Sequence, residues 1–174
     1  MNGTTDNRPP EEIRAALDAH STVTLAYTDA DGPQACAVFY AVVTTGGDGT
    51  TRGLSLVFVT SPTTRHGRAL LAGDVPVAFT AQRDGQEWTA LTGIQGRGTC
   101  RRLDGAERAA AWDAYRSRFP YVEGSDRLRQ AMERADLWEL SPRWLRLVDN
   151  GRGFGHKSEW NASAPPVANA SEGQ

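Results

Sequence analysis

Short apolar-alternating runs, separated by turn residues, limit what this chain can fold into more than any other feature. Residues 21–28 alternate, with Val23, Leu25 and Tyr27 on one face. Asp29-Ala30-Asp31-Gly32 supplies turn chemistry, and residues 33–44 form a second run, so the pair reads as a β-hairpin. A third apolar run covers residues 54–59 and a fourth residues 75–82. Asp84-Gly85 turns into a long fifth run from about residue 87 to 103, and a sixth spans residues 137–148 with a break near Pro142. Strands at such short spacing predict a mainly β domain with short helices (α+β), built as a small, mainly antiparallel barrel.

Helical signals fill the gaps. Pro9 and Pro10 precede a short helix in which Ile13, Ala16, Leu17 and His20 recur at helical spacing. Ser61-Pro62 reads as a capping hydroxyl followed by Pro at the first helical position, with the helix stopping at Gly73. Asp104 with Glu107 resembles a capping box ahead of a helix carrying Ala109, Trp112, Arg116 and Phe119. A further helix is expected over residues 126–134. Residues 46–49, Gly-Gly-Asp-Gly, read as a flexible loop. The organisation expected is a disordered N-terminus over 1–10, one domain over 11–160 and a disordered tail over 161–174.

The 174 residues suit one domain with its own core, without disulfides or a structural metal. Nineteen basic residues face 21 acidic ones, for a net charge of −2, so no positive field collects nucleic acid. Cys36 and Cys100 match no metal-ligand spacing and read as reduced thiols in strands. No apolar run approaches a membrane span or a signal peptide, so a cytoplasmic protein without membrane or nucleic-acid partners is expected.

The segment that carries chemistry is Phe58-Val59-Thr60-Ser61-Pro62-Thr63-Thr64-Arg65-His66-Gly67-Arg68. A strand ends on hydroxyl residues and a helix opens with more hydroxyls and a cation. First-turn N–H groups are unpaired and carry partial positive charge, which favours a phosphate. Hydroxyls of Thr60, Ser61 or Thr64 donate to phosphate oxygens, and Arg65 forks two of them. An ordinary capped helix with surface arginines is the competing reading of the same residues.

This order of residues resembles the flavin-phosphate segment of the pyridoxamine-phosphate oxidase-like family. There a Tyr-Thr pair ends a strand and Ser-Arg-Lys opens the helix. Val59-Thr60 correspond to the pair and Thr64-Arg65-His66 to the triplet. The resemblance extends over about residues 11–160, to the run Gln34 to Tyr40, to Trp88-Thr89-Ala90-Leu91-Thr92-Gly93, and to Asp149-Asn150 followed by Gly153-Phe154-Gly155. It implies a six-stranded antiparallel split β-barrel of the FMN-binding type, working as a homodimer with FMN at the interface. Thr60, Ser61, Thr64 and Arg65 would grip the phosphate, with Val59 beside them and His66 supplying the cation of the family's Lys. Ala37, Val38, Phe39 and Tyr40 would edge the flavin ring, and Trp88 would stand where the family has a flavin-contacting Gln.

Departures from the pattern narrow the expectation. Ala35 stands where pyridoxamine-phosphate oxidases have an Arg for the phosphate, and their C-terminal pyridoxal pattern is absent, so vitamin B6 oxidase activity is not expected. An FMN-dependent oxidoreductase with a small-molecule substrate or electron donor is the main expectation. Haem binding through His156 on a Gly-rich loop, a deazaflavin cofactor, and a non-catalytic flavin-binding protein stand as alternatives. Trp112 and Trp138 suit core positions, while Trp88 and Trp160 suit either packing or a planar cofactor.

Overall fold

Alternation at the first hairpin translates directly into burial: Val23, Leu25 and Tyr27 point into the protein, and their neighbours along the strand do not. The computed structural model describes residues 8–45 and 53–162. Its elements run α1 (Glu11–Ala19), β1 (Thr22–Asp29), β2 (Gly32–Thr45), β3 (Gly53–Thr60), α2 (Arg65–Leu70), β4 (Val75–Ala81), β5 (Thr92–Arg102), α3 (Gly105–Arg118), α4 (Asp126–Glu133), β6 (Asp136–Asp149) and β7 (Lys157–Asn161). Single 3₁₀ turns stand at Trp88–Ala90, Pro120–Val122 and Asn150–Arg152.

All strands pair antiparallel in the order β3-β2-β1-β4-β5-β6-β7, and an additional β3–β6 pairing closes the first six into a ring. Two long strands make this closure possible by exchanging partners midway. Residues 32–39 of β2 pair with β1, and residues 40–45 pair with β3. On β6, residues 136–140 pair with β3, whereas residues 144–148 pair with β7.

Inside the ring, Leu25, Tyr40, Leu56, Phe58, Phe79, Ile94, Trp138 and Leu140 pack together, with Ile13 and Leu17 of α1 and Leu70 of α2 joining them. A second cluster lies outside, where Tyr115 and Ala111 of α3, with Phe119 and Val122 beyond it, cover Ala41, Val57 and Leu137. Gly96 leaves room for the Phe79 ring: a Cβ there would stand 2.1 Å from Phe79 Cζ. The end of α1 is fastened by Tyr40, whose hydroxyl donates to the Leu17 carbonyl at 2.6 Å, and by Arg118, which donates to the carbonyls of Asp18 and His20.

Several expectations are corrected. Among the described residues the expected six strands form the ring, and a seventh, β7, is added beside β6 from residues that read as irregular; Asn161 belongs to that strand rather than to a tail. The fifth strand starts at Thr92, since Trp88–Ala90 form a 3₁₀ turn. Pro142 does not break β6. It sits at a bulge, where the register shifts between Arg97 and Gly98, and marks the exchange of β3 for β7. A residue without an N–H is tolerated at such a point, where ladder bonds are already interrupted. Thr64, not Ser61, caps α2, its hydroxyl accepting from Gly67 N. Asp104 makes no capping bond, and Glu107 instead receives both Nη groups of Arg101 at 2.8 and 3.0 Å. A charge-assisted fork outweighs a cap. Pro9 is buried and Pro10 stands at the N-cap position of α1, so these two residues pack with the domain. The glycine loop at 46–49, residues 1–7 and residues 163–174 lie outside the described residues.

Candidate functional site

The exchange of partners along β2 opens a crevice. Tyr40 is opposite Phe58, but Phe39 and Val59 beyond them are not paired, and β3 continues against β6 alone. Residues 32–39 therefore keep β1 on one edge and expose the other edge, with backbone N–H and C=O groups that no described strand takes up. Side chains alternate along it: Ala37 and Phe39 are exposed, while Val38 and Tyr40 are buried. Whatever meets Ala37 to Tyr40 here meets backbone, Ala37 and Phe39.

At the mouth of this crevice lies the hydroxyl-rich segment. Thr60 is buried, and its carbonyl accepts from Trp138 Nε1 at 3.2 Å, which fixes the end of β3. Thr60 Oγ1 stands 3.2 Å from Thr64 Oγ1 and 2.6 Å from His66 Nε2. Thr64 also donates to the Ser61 carbonyl, and Ser61 Oγ lies 2.8 Å from Thr63 Oγ1. The chain turns tightly here, and a Cβ at Gly67 would meet the Ser61 carbonyl at 2.1 Å, so this position requires glycine. With Gly67 N taken by Thr64, the N–H groups of Arg65 and His66 are the first-turn donors left for a ligand. Thr60, Ser61, Thr64, Arg65 and His66 are thus brought together, with Val59 half-buried beside them.

The two cations differ from what the sequence suggests. Arg65 is half-exposed, but its Nε donates to Asp29 Oδ2 at 2.6 Å, and Nη2 reaches Asp29 Oδ1 at 3.2 Å and Asp31 Oδ2 at 2.5 Å. The Arg65 guanidinium holds the Asp29 carboxyl below the usual carboxylate range. Any phosphate at this segment must share Arg65 with two carboxylates. Burial pushes the His66 imidazole below the ordinary histidine value, which favours the neutral ring until an anion binds beside it. Its edge packs toward Tyr27, ring centroids 6.5 Å apart. Read from sequence, Asp29 and Asp31 signify only a turn. Their spacing in Asp-x-Asp, at the tip of a hairpin, is the available clue to a counter-ion pair.

Trp88 lies apart from this cluster, on the 3₁₀ turn before β5. It is 70% exposed and stacks on Phe154, itself 78% exposed, with centroids 5.9 Å apart. Asn150, which the sequence offered only as part of the family resemblance, holds the two turns together. Its Nδ2 donates to the Trp88 carbonyl at 2.9 Å, its N–H donates to Leu91 O, and its Oδ1 accepts from Gly155 N. His156 follows in the same turn, between Gly155, with φ 75°, and β7. Its Nε2 is buried without a protein partner rather than presented on an open loop.

Comparison with known proteins bears on this geometry. The family model described as Pyridoxamine 5'-phosphate oxidase matches residues 9–149. The UPF0306 protein YhbP of Salmonella schwarzengrund is 32% identical over 109 residues, 63% of this chain and 68% of that one. A haem-binding protein from Mycobacterium smegmatis shares the fold with a TM-score of 0.65 at 24% identity, over 89% of this chain. The chain spans only 59% of that protein's length. A conserved hypothetical protein from Mycobacterium tuberculosis gives 0.63 at 21% identity, covering 97% of this chain and all of that one. HutZ, a haem storage protein from Vibrio cholerae, gives 0.56 at 20% identity, over 78% and 90% of the two chains. At these identities the structural likeness speaks for the fold alone.

Proposed function

The chain belongs to the pyridoxamine 5'-phosphate oxidase family, and from that premise we propose that it is an FMN-binding oxidoreductase, one half of a homodimer with the flavin at the interface. The observation that carries this reading is the crevice between the open edge of β2 and the Thr60–Arg68 segment. A planar ring with hydrogen-bonding edges suits an unpaired strand edge, and a phosphate suits hydroxyls and first-turn amides.

The residues fit the group, with one strain on the fit. Thr60, Ser61 and Thr64 supply hydroxyls, Arg65 and His66 supply N–H groups, and Arg65 supplies a cation already shared with Asp29 and Asp31. Ala37 to Phe39 would meet the ring through their backbone. FMN, when bound, carries the electron-transfer chemistry, and this chain's part is to position it and control access. No described residue set beyond the crevice identifies the substrate.

Haem is the second reading. What favours it is His156, whose Nε2 has no protein partner and whose neighbours Gly153 and Gly155 have φ of 131° and 75°. Iron ligation requires that turn to swing the ring outward. The test is the absorption spectrum of the purified protein, followed by mass identification of what heat releases. Flavin bands with released FMN support the first reading. A Soret band lost in His156→Ala supports the second, and release of a deazaflavin would keep the crevice but change the cofactor. Flavin that NADH and NADPH fail to bleach without oxygen would leave binding without turnover.

A further inference from the structure

At the opposite end of β1 from Arg65, the β4–β5 connection folds over the first residues of β1 and leaves a cleft of about 380 Å³. His20, Thr22, Thr24, Thr80, Gln82 and Arg83 are its principal polar lining. Thr22 and Asp29 are seven residues apart on one strand, about 23 Å, so within one chain this cleft is separate from the segment that would hold a flavin phosphate.

Two groups in it lack the partners that buried or charged groups normally find. His20 is only 5% exposed, yet its Nε2 meets no hydrogen-bonding group of the protein. Such an orphan is destabilising unless something else satisfies it. Arg83 extends from an exposed position and forms no ion pair among the described residues, in contrast to Arg65, Arg101 and Arg116, which each hold two carboxylates. Burial, with the charge of Arg83 adding to it, pushes the His20 imidazole below the ordinary histidine value. Threonine hydroxyls from two adjacent strands and an uncommitted guanidinium form a donor-rich wall, with the buried imidazole of His20 behind it. The threonines are held in register by the sheet, Thr24 directly opposite Thr80. Asp84 also borders the cleft, on its exposed rim.

We propose that this cleft is a second binding site, selective for a phosphate-sized oxyanion, in which Arg83 forks two oxygens while Thr24 and Thr80 complete its hydrogen bonds and the His20 imidazole backs the wall. Planar forks match tetrahedral oxyanions in two contacts at once, and hydroxyls adapt to the remaining oxygens. The site does not depend on the flavin reading, since it shares no residue with the crevice.

The experiment is a titration of the full-length protein with inorganic phosphate at constant ionic strength, followed by two-dimensional ¹H–¹⁵N spectra. Saturable shifts centred on Ser21, Thr24, Thr80 and Arg83 are expected. Arg83→Gln and Thr80→Val, both at exposed positions, should each weaken the affinity read at these cleft resonances at least fivefold, while Arg97→Gln leaves it unchanged. Absence of saturable shifts, or shifts that centre on Arg65 and persist in Arg83→Gln, would overturn the proposal. Loss of flavin in Arg65→Ala with the phosphate titration intact would separate the two sites.

Discussion

Arg65 shows how a single side chain takes its meaning from partners distant in sequence. Its place at the opening of α2 marks it as a phosphate ligand, whereas the fold sets it against Asp29 and Asp31 of the first hairpin. If it serves the flavin phosphate, Arg65→Ala should lower flavin affinity about tenfold or more, the scale of a charge-assisted bond. Asp29→Asn should raise that affinity, because the competing carboxylate is gone. Fluorescence titration with FMN checks both, and equal affinities in all three proteins would remove Arg65 from the site. The histidines make a prediction in pH. Burial depresses both His20 and His66 below the ordinary value of 6.5, so below about that pH the unfolded chain binds more protons than the folded one. Stability therefore falls as pH falls from 7.5 to 5.5. The melting temperature of His66→Gln should fall less over this range than that of the parent, and an identical fall would refute the assignment. Gly96→Ala should destabilise the fold by about 1–3 kcal/mol, read from urea unfolding, because Phe79 already fills the space of its Cβ.

Elements were legible where local signals are strong and blurred where pairing decides. The alternation at residues 21–28 and the turn after it located β1 and β2 almost to the residue, since a half-buried strand must alternate. No local pattern announced β7, because its edge is completed by β6 and its own burial is partial. The β6–β7 connection is likewise organised from outside: Asn150 ties the turns that carry Trp88 and Phe154. Asn150→Ala removes two side-chain bonds and should free the stacked pair. Acrylamide quenching of Trp fluorescence should rise while the barrel's melting temperature changes little. Unchanged quenching would mean that the stack holds itself together.

For the whole molecule, the outward face of the sheet poses the main question. Ala35 of β2, Ala26 of β1 and Ala78 of β4 lie side by side across the ladder, followed by Arg97 and Trp144. Arg97 and Arg146 both stand over the Trp144 ring, at 4.9 and 5.0 Å. A flat row of small residues accepts another surface closely, and the proposed homodimer would use it. Sedimentation equilibrium should give twice the chain mass, and Ala78→Arg should return the monomer; a monomeric parent protein would exclude a flavin site built from two subunits. Among the described residues no helix is long and apolar enough to cross a membrane. The sequence by itself determined the mainly antiparallel β class, the succession of the first six strands and the hydroxyl-rich opening of α2, because these rest on periodicity and turn chemistry within a few residues. Only the tertiary structure decided that β2 and β6 exchange partners and so open a crevice, that Asp29 and Asp31 hold Arg65, and that His20 and Arg83 face one cleft. Each of these joins residues far apart in the chain, and their distances are set by the closure of the ring rather than by anything written locally.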